Sequence, residues 1–209
     1  MLRAVAVLTI LSAILVCSCA NPATDKSKAV TSDAAPVSSS SPVVAGETYS
    51  ITPANSKIEF VGSKVTGSHN GSFEKFSGSI NYAGSIEKSQ VDITIDAASV
   101  KTDADGLTKH LQTADFFDVA RYPQASFVST EIKPGGDKGA SHTVTGNLQL
   151  HGVTKSITFP ATIAAEPGAV TVNSTFAINR KDFGINYTGA ADNLIRDEVV
   201  MKLSVRAVK

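Results

Sequence analysis

Apolar and polar residues alternate along most of the chain after residue 47, and this pattern predicts β-strands. In the stretch "KIEF", Ile58 and Phe60 share one face, while Lys57 and Glu59 occupy the other. Side chains on a strand point alternately to opposite faces, so each such run has one face suited to burial. Period-two runs, together with weaker apolar segments, predict strands within residues 49–52, 57–67, 71–82, 89–100, 125–133, 143–152, 155–163, 169–180 and 197–208.

One segment departs from this pattern and predicts a short helix. In "GLTKHLQTADFFD", Leu107, His110 and Leu111 recur at helical spacing. Asp103 or Asp105 stands where a side chain caps a helix start. We therefore expect a helix over residues 107–118, lying across one end of the sheet.

Many antiparallel strands with one polar face each predict an all-β fold, either a sandwich or a closed barrel. Closure into an antiparallel barrel of about eight strands or slightly more would remove exposed sheet edges. Such a barrel is wide enough to be filled by its own side chains or to hold one ligand. The pattern alone does not distinguish between these two interiors.

Two phenylalanines in "GSFEKFSG" conflict with a regular strand. Phe73 and Phe76 are three residues apart, so uninterrupted alternation would place them on opposite faces. Gly71 and Gly78 flank them and make a local bend or bulge feasible. We predict a bulge that turns both rings inward.

The start of the chain predicts export. Arg3 precedes an apolar run from residue 4 to 16, which has the length of a signal-peptide core and is short for a membrane span. The following "VCSC" resembles a bacterial lipoprotein box with Cys19 as the lipidated residue, and Cys17 would then leave with the signal peptide. We expect a signal peptide at 1–18, a lipidated Cys19 with a flexible Ser/Ala/Pro tether at 19–46, and one folded domain at 47–209.

Composition and motifs argue against several functions. The 19 basic and 19 acidic residues balance, and no basic run or tryptophan suggests nucleic-acid binding. The histidines lack the spacing of a zinc site, and no nucleophile motif is present, so we predict no metal, no cofactor and no catalytic residue. We expect Arg180 to pair with Asp182 and fix the turn before Gly184, and His151 to serve the turn with Gly152.

A string of motifs resembles the YceI family of exported, lipocalin-like bacterial proteins. In family order these motifs are "SKIEFVGSK", "GSFEKFSGSI", "DAASVKTD", "KHLQTADFFDVARYPQASFVS", "GNLQLHGVTKSITFP" and "FAINRKDFGI". The resemblance spans nearly the whole domain. It implies an elongated barrel around an apolar tunnel that binds a long polyisoprenoid, isoprenoid quinone or other lipid chain.

That resemblance implies which residues line the ligand cavity. The expected wall consists of inward-facing apolar residues, namely Ile58, Phe60, Phe73, Phe76, Ile80, Val91, Ile93, Ile95, Leu111, Phe116, Phe127, Leu148, Leu150, Phe176, Ile178, Met201 and Leu203. Many family members carry histidine where this chain has Lys64. If that position contacts a head group, Lys64 offers a fixed cation to an anionic or carbonyl-bearing group; the alternative is a solvated surface residue. His110 is a second possible head-group contact, although a histidine on the apolar face of a helix more often serves packing.

Three functions follow from these features. The first is a lipid-binding barrel, anchored in the cell envelope through Cys19, that carries, stores or buffers an apolar chain. The second is a non-catalytic envelope interaction protein with a filled barrel. The third is an enzyme acting on bound lipid with His110 as acid or base. The absence of catalytic motifs favours the first, and the sequence leaves the ligand, the membrane and the oligomeric state open.

Overall fold

The computed structural model describes residues 21–35 and 46–209. Its strands are β1 (Ser27–Lys28), β2 (Val30–Asp33), β3 (Glu47–Ile51), β4 (Lys57–Lys64), β5 (Gly67–Phe73), β6 (Phe76–Tyr82), β7 (Gln90–Asp96), β8 (Val100–Thr102), β9 (Gln124–Pro134), β10 (His142–Leu150), β11 (Val153–Glu166), β12 (Ala169–Asn179), β13 (Gly189–Ala190), β14 (Asn193–Leu194) and β15 (Glu198–Val208). Helix α1 spans Asp105–Leu111, and 3₁₀ turns occur at Ile86–Lys88, Ala97–Ser99, Asp137–Gly139 and Arg180–Phe183. No helix in these two ranges has the length and apolar character needed to cross a membrane.

The sheet closes into an antiparallel barrel of eight long strands, as the sequence predicted. Three of the eight are interrupted, since β3 continues into β4, β5 into β6 and β7 into β8. Each long strand pairs with its neighbours in sequence. The last strand, β15, pairs with β12 on one edge and with β3 and β4 on the other. This closure leaves every second side chain pointing into the barrel.

Phe73 and Phe76 both point inward as predicted, but a break in the strand brings this about, and not a bulge. The strand breaks at Glu74 and Lys75, so that Phe73 ends β5 opposite Val100 and Phe76 begins β6 opposite Ile95. The neighbouring strand breaks at the same level, between β7 and β8. The two interruptions form one corner of the barrel. The break in the strand lets both Phe73 and Phe76 point inward, and no bulge is needed.

Helix α1 is shorter than predicted and ends at Leu111 rather than at residue 118. In the turns that follow the helix, the carbonyl of Thr113 accepts a hydrogen bond from the backbone N–H of Asp118 at 2.9 Å. Asp118 has a positive φ of 45°. Ala104 occupies the N-cap position without a side-chain hydrogen bond. Asp103 does not cap the helix, because its carboxylate accepts from the backbone amide of Asn70 and contacts His69 instead.

The N-terminal segment is built into the barrel wall. Strands β11 and β12 pair along residues 162–166 and 169–173 and then diverge. In the gap, β1 runs parallel to β12 beside Phe176 and Ala177, while β2 runs antiparallel to β11 along residues 155–158. The expectation of a flexible tether is therefore wrong for residues 21–35. The predicted signal peptide, Cys17, Cys19 and residues 36–45 lie outside the described residues.

Ala23 holds this N-terminal segment to the outside of the barrel. It is fully buried at 0 % exposure and packs on an apolar patch of Val61, Ala177 and Val200. Two ion pairs add to the contact, one between Lys28 and Glu198 and one between Lys155 and Asp33. Burial of Ala23 and backbone pairing thus fix a segment that has few large apolar residues of its own.

We expect Ala23→Asp to release residues 21–35 while leaving the barrel folded. A carboxylate at this buried site has no partner, which should destabilise the docked segment by about 1–3 kcal/mol. Amide hydrogen exchange measures the effect at Ala29, whose N–H donates to the Ala177 carbonyl at 2.8 Å. The control is Val30→Asp, because Val30 is 68 % exposed in the same segment. Equal protection in both variants would contradict the docking role of Ala23.

Candidate functional site

The barrel encloses two adjacent chambers. The outer chamber, of about 460 Å³, is lined at the α1 end of the barrel by residues of β4, β5, α1 and the segment 185–196. The inner chamber, of about 100 Å³, is lined by residues of β4, β6, β7, β9 to β12 and β15. The two chambers share four wall residues, namely Ile95, Leu148, Ile178 and Met201.

The inner chamber is lined entirely by apolar side chains. Aromatic rings form part of its wall. Phe159 and Phe176 stack with their centroids 4.2 Å apart, and Phe127 lies 5.7 Å from Phe159. Because Phe159 is on β11 and Phe176 on β12, this stack closes the inside of the gap that β1 and β2 fill in the wall. A polar group placed in this chamber would lose its hydration without gaining a hydrogen bond to a side chain.

Two glycines make room for aromatic rings in the wall. A Cβ on Gly71 would lie 2.2 Å from Cζ of Phe60, its cross-strand partner. A Cβ on Gly146 would lie 2.4 Å from Cζ of Phe127. Both distances are far below van der Waals contact. The far end of each ring therefore occupies space that a side chain at the glycine position would need.

The predicted wall residues line one or both chambers, with the exception of Phe76. Phe76 is buried in the core but borders neither chamber. The sequence reasoning missed two groups of wall residues. Alternation in β11 and β15 could have identified Phe159 and Val205. The mouth residues Ile185, Tyr187 and Ile195 belong to an irregular segment that has no periodic signal.

Polar side chains are concentrated at the mouth. Lys64 ends β4, forms a backbone bridge with Ile195 and lines the outer chamber. His69 and His110 line the same chamber, and each contacts a carboxylate at 2.8 Å, Asp103 and Asp115 respectively. The two predicted head-group contacts, Lys64 and His110, are thus at the same opening.

Hydrogen bonding stabilises the ionised form of Asp103 at this mouth. The backbone amide of Asn70 is the main cause of its lowered pKa, and His69 contributes further. The folded state therefore favours the carboxylate. Its stabilising effect is present above the ordinary carboxyl pKa and is lost as the pH falls through the lowered value.

Packing also orients His110. Its ring lies edge-on to Phe116 and Tyr187, with centroid distances of 5.0 and 5.1 Å. Its Nε2 contacts Asp115, so two neighbouring aromatic rings and one carboxylate hold the imidazole in place. His142 and His151 serve elsewhere: His142 contacts Ser141 and Glu87, and His151 adopts a positive φ in the predicted turn beside Gly152. No cluster suited to a metal ion occurs among the described residues.

Arg180 fixes the backbone around the mouth, and its partner differs from the prediction. Its side chain is 4 % exposed and donates to the carbonyl of Ile185 at 2.7 Å and to that of Arg196 at 3.1 Å. Its ion pair is with Asp197, at 3.3 Å, rather than with Asp182. The guanidinium turns inward, where these acceptors converge. Burial lowers the pKa of Arg180, and Asp197 opposes that shift.

Comparison with known families identifies the fold. A sequence model described as the YceI-like domain matches residues 49–207, which is nearly the whole barrel. The chain belongs to the YceI-like family. This confirms the resemblance seen in the sequence motifs and agrees with the closed barrel described above.

YceI-like relatives occur in several bacteria. A UPF0312 protein of Pseudomonas putida is 37 % identical over 146 residues, covering 66 % of this chain and 73 % of that protein. A UPF0312 protein of Pseudomonas syringae pv. tomato is 39 % identical over 126 residues, covering 57 % of this chain and 65 % of that protein.

Solved structures share the barrel. BcnA of Burkholderia cenocepacia superposes with a TM-score of 0.65 at 27 % identity, covering 76 % of this chain and 99 % of BcnA. The YceI protein of Campylobacter jejuni gives 0.55 at 26 % identity, covering 66 % of this chain and 84 % of that chain. A polyisoprenoid binding domain from Saccharophagus degradans gives 0.61 at 22 % identity, covering 77 % and 97 %, and shows the fold alone.

We expect Arg180→Lys to destabilise the mouth of the barrel. Lysine keeps the buried charge but lacks the planar guanidinium group, which donates to several acceptors at once. The carbonyl groups of Ile185 and Arg196 would therefore lose hydrogen-bond donors. The free energy of unfolding in urea should fall by about 2–3 kcal/mol.

The control for Arg180→Lys is Lys181→Gln. Lys181 pairs with the same Asp197 at 2.9 Å but is 42 % exposed. Loss of such an exposed pair should cost less than about 1 kcal/mol. Equal losses in the two variants would show that the buried hydrogen bonds of Arg180 contribute no more than a surface charge.

Proposed function

We propose that this protein binds a single long apolar chain, of polyisoprenoid or isoprenoid-quinone type, inside its barrel. The observation that carries the proposal is the pair of adjacent chambers, one with polar residues at its mouth and the other wholly apolar. A ligand with a small polar end and a long thin hydrocarbon body matches that order. The binding would carry, store or buffer the chain in the cell envelope.

The comparisons support this proposal at the level of the family. The Saccharophagus degradans neighbour is described as a polyisoprenoid binding domain. Membership of the YceI-like family extends along the same barrel strands that line the cavity here. The shared architecture makes an apolar chain the ligand class to test first.

The hydrophobic effect supplies the binding energy in this proposal. Each methylene group moved from water into the chambers contributes about 0.8 kcal/mol. This contribution depends on area and not on direction, so the inner wall selects for length and thinness rather than for chemical detail. Selection among polar ends would depend on the mouth.

The geometry favours binding over the two other functions considered. A barrel filled by its own side chains would support an envelope interaction protein, and the open chambers count against that interior. An enzyme using His110 would need this ring to meet a reacting group. Its Nε2 is instead engaged by Asp115, and its ring packs against Phe116 and Tyr187. We therefore propose a non-enzymatic role without a cofactor.

We propose that Lys64 selects the polar end of the ligand. It lines the mouth of the outer chamber and makes no ion pair within the described part of the chain. A free ammonium group favours an anionic or carbonyl-bearing head group over a hydroxyl group. His110 lies at the same opening and offers a second polar contact.

We also propose that the protein is exported and anchored in a membrane of the bacterial envelope. Support comes from the sequence "VCSC", in which Cys19 follows an apolar run and small residues. Two or more acyl chains on Cys19 would give stable attachment, whereas one chain is marginal. The ligand and the protein would then share the same membrane surface.

We expect Leu148→Trp to abolish binding of long chains. Leu148 borders both chambers, so an indole there should block passage from the outer to the inner chamber. Native mass spectrometry of the purified full-length protein, incubated with a long prenyl alcohol, should show at least a tenfold loss of bound ligand, a change equivalent to about 1.4 kcal/mol.

The matched control for Leu148→Trp is Gln149→Trp on the same strand. Gln149 is exposed and points away from the cavity, so it adds the same ring without filling the barrel. Both variants should keep their circular dichroism spectra. Full binding by a folded Leu148→Trp variant would contradict the chain-binding proposal, as would a wild-type protein that takes up no prenyl chain.

We expect Lys64→Met to weaken binding of anionic prenyl ligands selectively. Loss of one partly exposed charge should lower the affinity for a prenyl phosphate about threefold to fivefold. Binding of the corresponding prenyl alcohol should not change. Lys57→Met is the control, since Lys57 is exposed near the other end of β4. Equal effects on phosphate and alcohol would exclude a head-group role for Lys64.

A further inference from the structure

The exposed large apolar side chains are concentrated at the cavity mouth. Within residues 21–35 and 46–209 four such side chains are exposed, and three of them, Val65, Tyr187 and Leu194, surround this opening at 45 %, 37 % and 48 % exposure. The fourth, Val30, lies on the barrel wall. Single exposed apolar residues need no explanation, but a group around one opening indicates an interaction surface. We name these three residues the apolar rim.

The apolar rim is held in place by local contacts. The backbone amide of Val65 donates to the carbonyl of Leu194 at 3.1 Å, which joins the β4–β5 turn to the β13–β14 hairpin. Thr66 and Asn193 reinforce this junction with a side-chain hydrogen bond of 2.7 Å. Tyr187 packs on Phe116, with the ring centroids 5.4 Å apart. The exposed side chains therefore stand on two joined loops.

The apolar rim is continuous with the cavity. Tyr187 and Asn193 line the outer chamber, as do Gly189 and Ala190 of the same hairpin. Val65 and Leu194 lie just outside the chamber wall and do not border it. An apolar chain passing between the chamber and a neighbouring apolar phase would thus meet few polar groups along this side of the mouth.

The described chain begins at the same end of the barrel as the apolar rim. The Asn21 side chain contacts Glu198, the first residue of β15, and Ala23 packs beside Val61 and Val200. The mouth end of β4, at Lys64, is adjacent to this patch. Cys19 precedes Asn21 by two residues, which span at most about 7 Å. Acyl chains on Cys19 would therefore enter a bilayer that lies close to the mouth end of the barrel.

We propose that the apolar rim docks on the lipid bilayer, so that the cavity opens toward the membrane surface. The inference rests on the proposed binding of an apolar chain, because only then does docking serve ligand transfer. Val65 and Leu194 insert among the lipid head groups, and Tyr187 lies at the boundary between the chamber and the membrane. Tyrosine suits such a boundary, since it combines an apolar ring with a polar end.

Tryptophan fluorescence tests the docked orientation directly, because the sequence contains no tryptophan. Leu194→Trp and Val30→Trp variants of the full-length protein are reconstituted with vesicles of phosphatidylethanolamine and phosphatidylglycerol. Half of the samples carry bromine on the acyl chains as a quencher. We expect about twofold lower emission from Trp at position 194 in brominated vesicles, together with a blue shift. Trp at position 30 should be unaffected.

Two results would overturn the docking proposal. One is equal quenching at the two positions or stronger quenching at position 30, which would place another face on the membrane. The other is the absence of quenching at both positions, which would place the rim in water. Neither result depends on ligand binding, so the outcome is distinct from the test of the proposed function.

A second measurement links the apolar rim to transfer. In Val65→Ser/Leu194→Ser, both rim side chains that lie outside the chamber wall become polar. We expect transfer of a fluorescent prenyl ligand from vesicles to slow about tenfold or more, because the variant loses apolar surface at the membrane. The amount bound from detergent solution should not change. Unchanged transfer would contradict the proposal, while loss of binding in both assays would assign these residues to the site itself.

Discussion

Closure of the sheet by hydrogen bonds is the constraint on which the cavity depends. Once β15 pairs with β12 on one edge and with β3 and β4 on the other, the backbone polar groups of the wall are satisfied within the sheet. The interior is then determined by every second side chain alone. Those side chains are apolar, and at Gly71 and Gly146 they are missing, so the rings of Phe60 and Phe127 occupy the space beside these glycines. An apolar space remains where a core would otherwise be.

Closure is incomplete where β11 diverges from β12, because the two strands do not hydrogen-bond to each other there. Two sets of contacts fill this gap. Outside, β1 and β2 supply backbone partners to both strands. Inside, Phe159 and Phe176 stack across the same gap. The segment that completes the wall follows directly on the residues expected to reach the membrane. Barrel integrity and the proposed membrane attachment would therefore depend on the same short stretch of sequence.

Local periodicity explains why the barrel and most of its lining could be predicted. Alternation is a property of each strand by itself, so residues such as Phe60 and Leu148 were assigned inward without knowledge of their neighbours. The N-terminal strands could not be predicted, because backbone hydrogen bonds form with almost any side chain. The helix is shorter than predicted because turns replace it after Leu111, and the periodic pattern does not reveal the positive φ that Asp118 adopts there. The pairing of Arg180 with Asp197 brings together residues far apart in sequence, and irregular chain separates them. Lipidation of Cys19 stays a prediction.

The distribution of exposed apolar residues connects these features to function. Folding alone does not require Val65 and Leu194 to be apolar, because both side chains are about half exposed and neither borders the cavity. Their exposure carries a risk of association in solution that a polar side chain would avoid. Adjacent to a bilayer, the same exposure becomes favourable, since the side chains leave water. The rim therefore makes physical sense for a barrel whose mouth faces a membrane, and the apolar wall behind it makes sense for a chain drawn from that membrane.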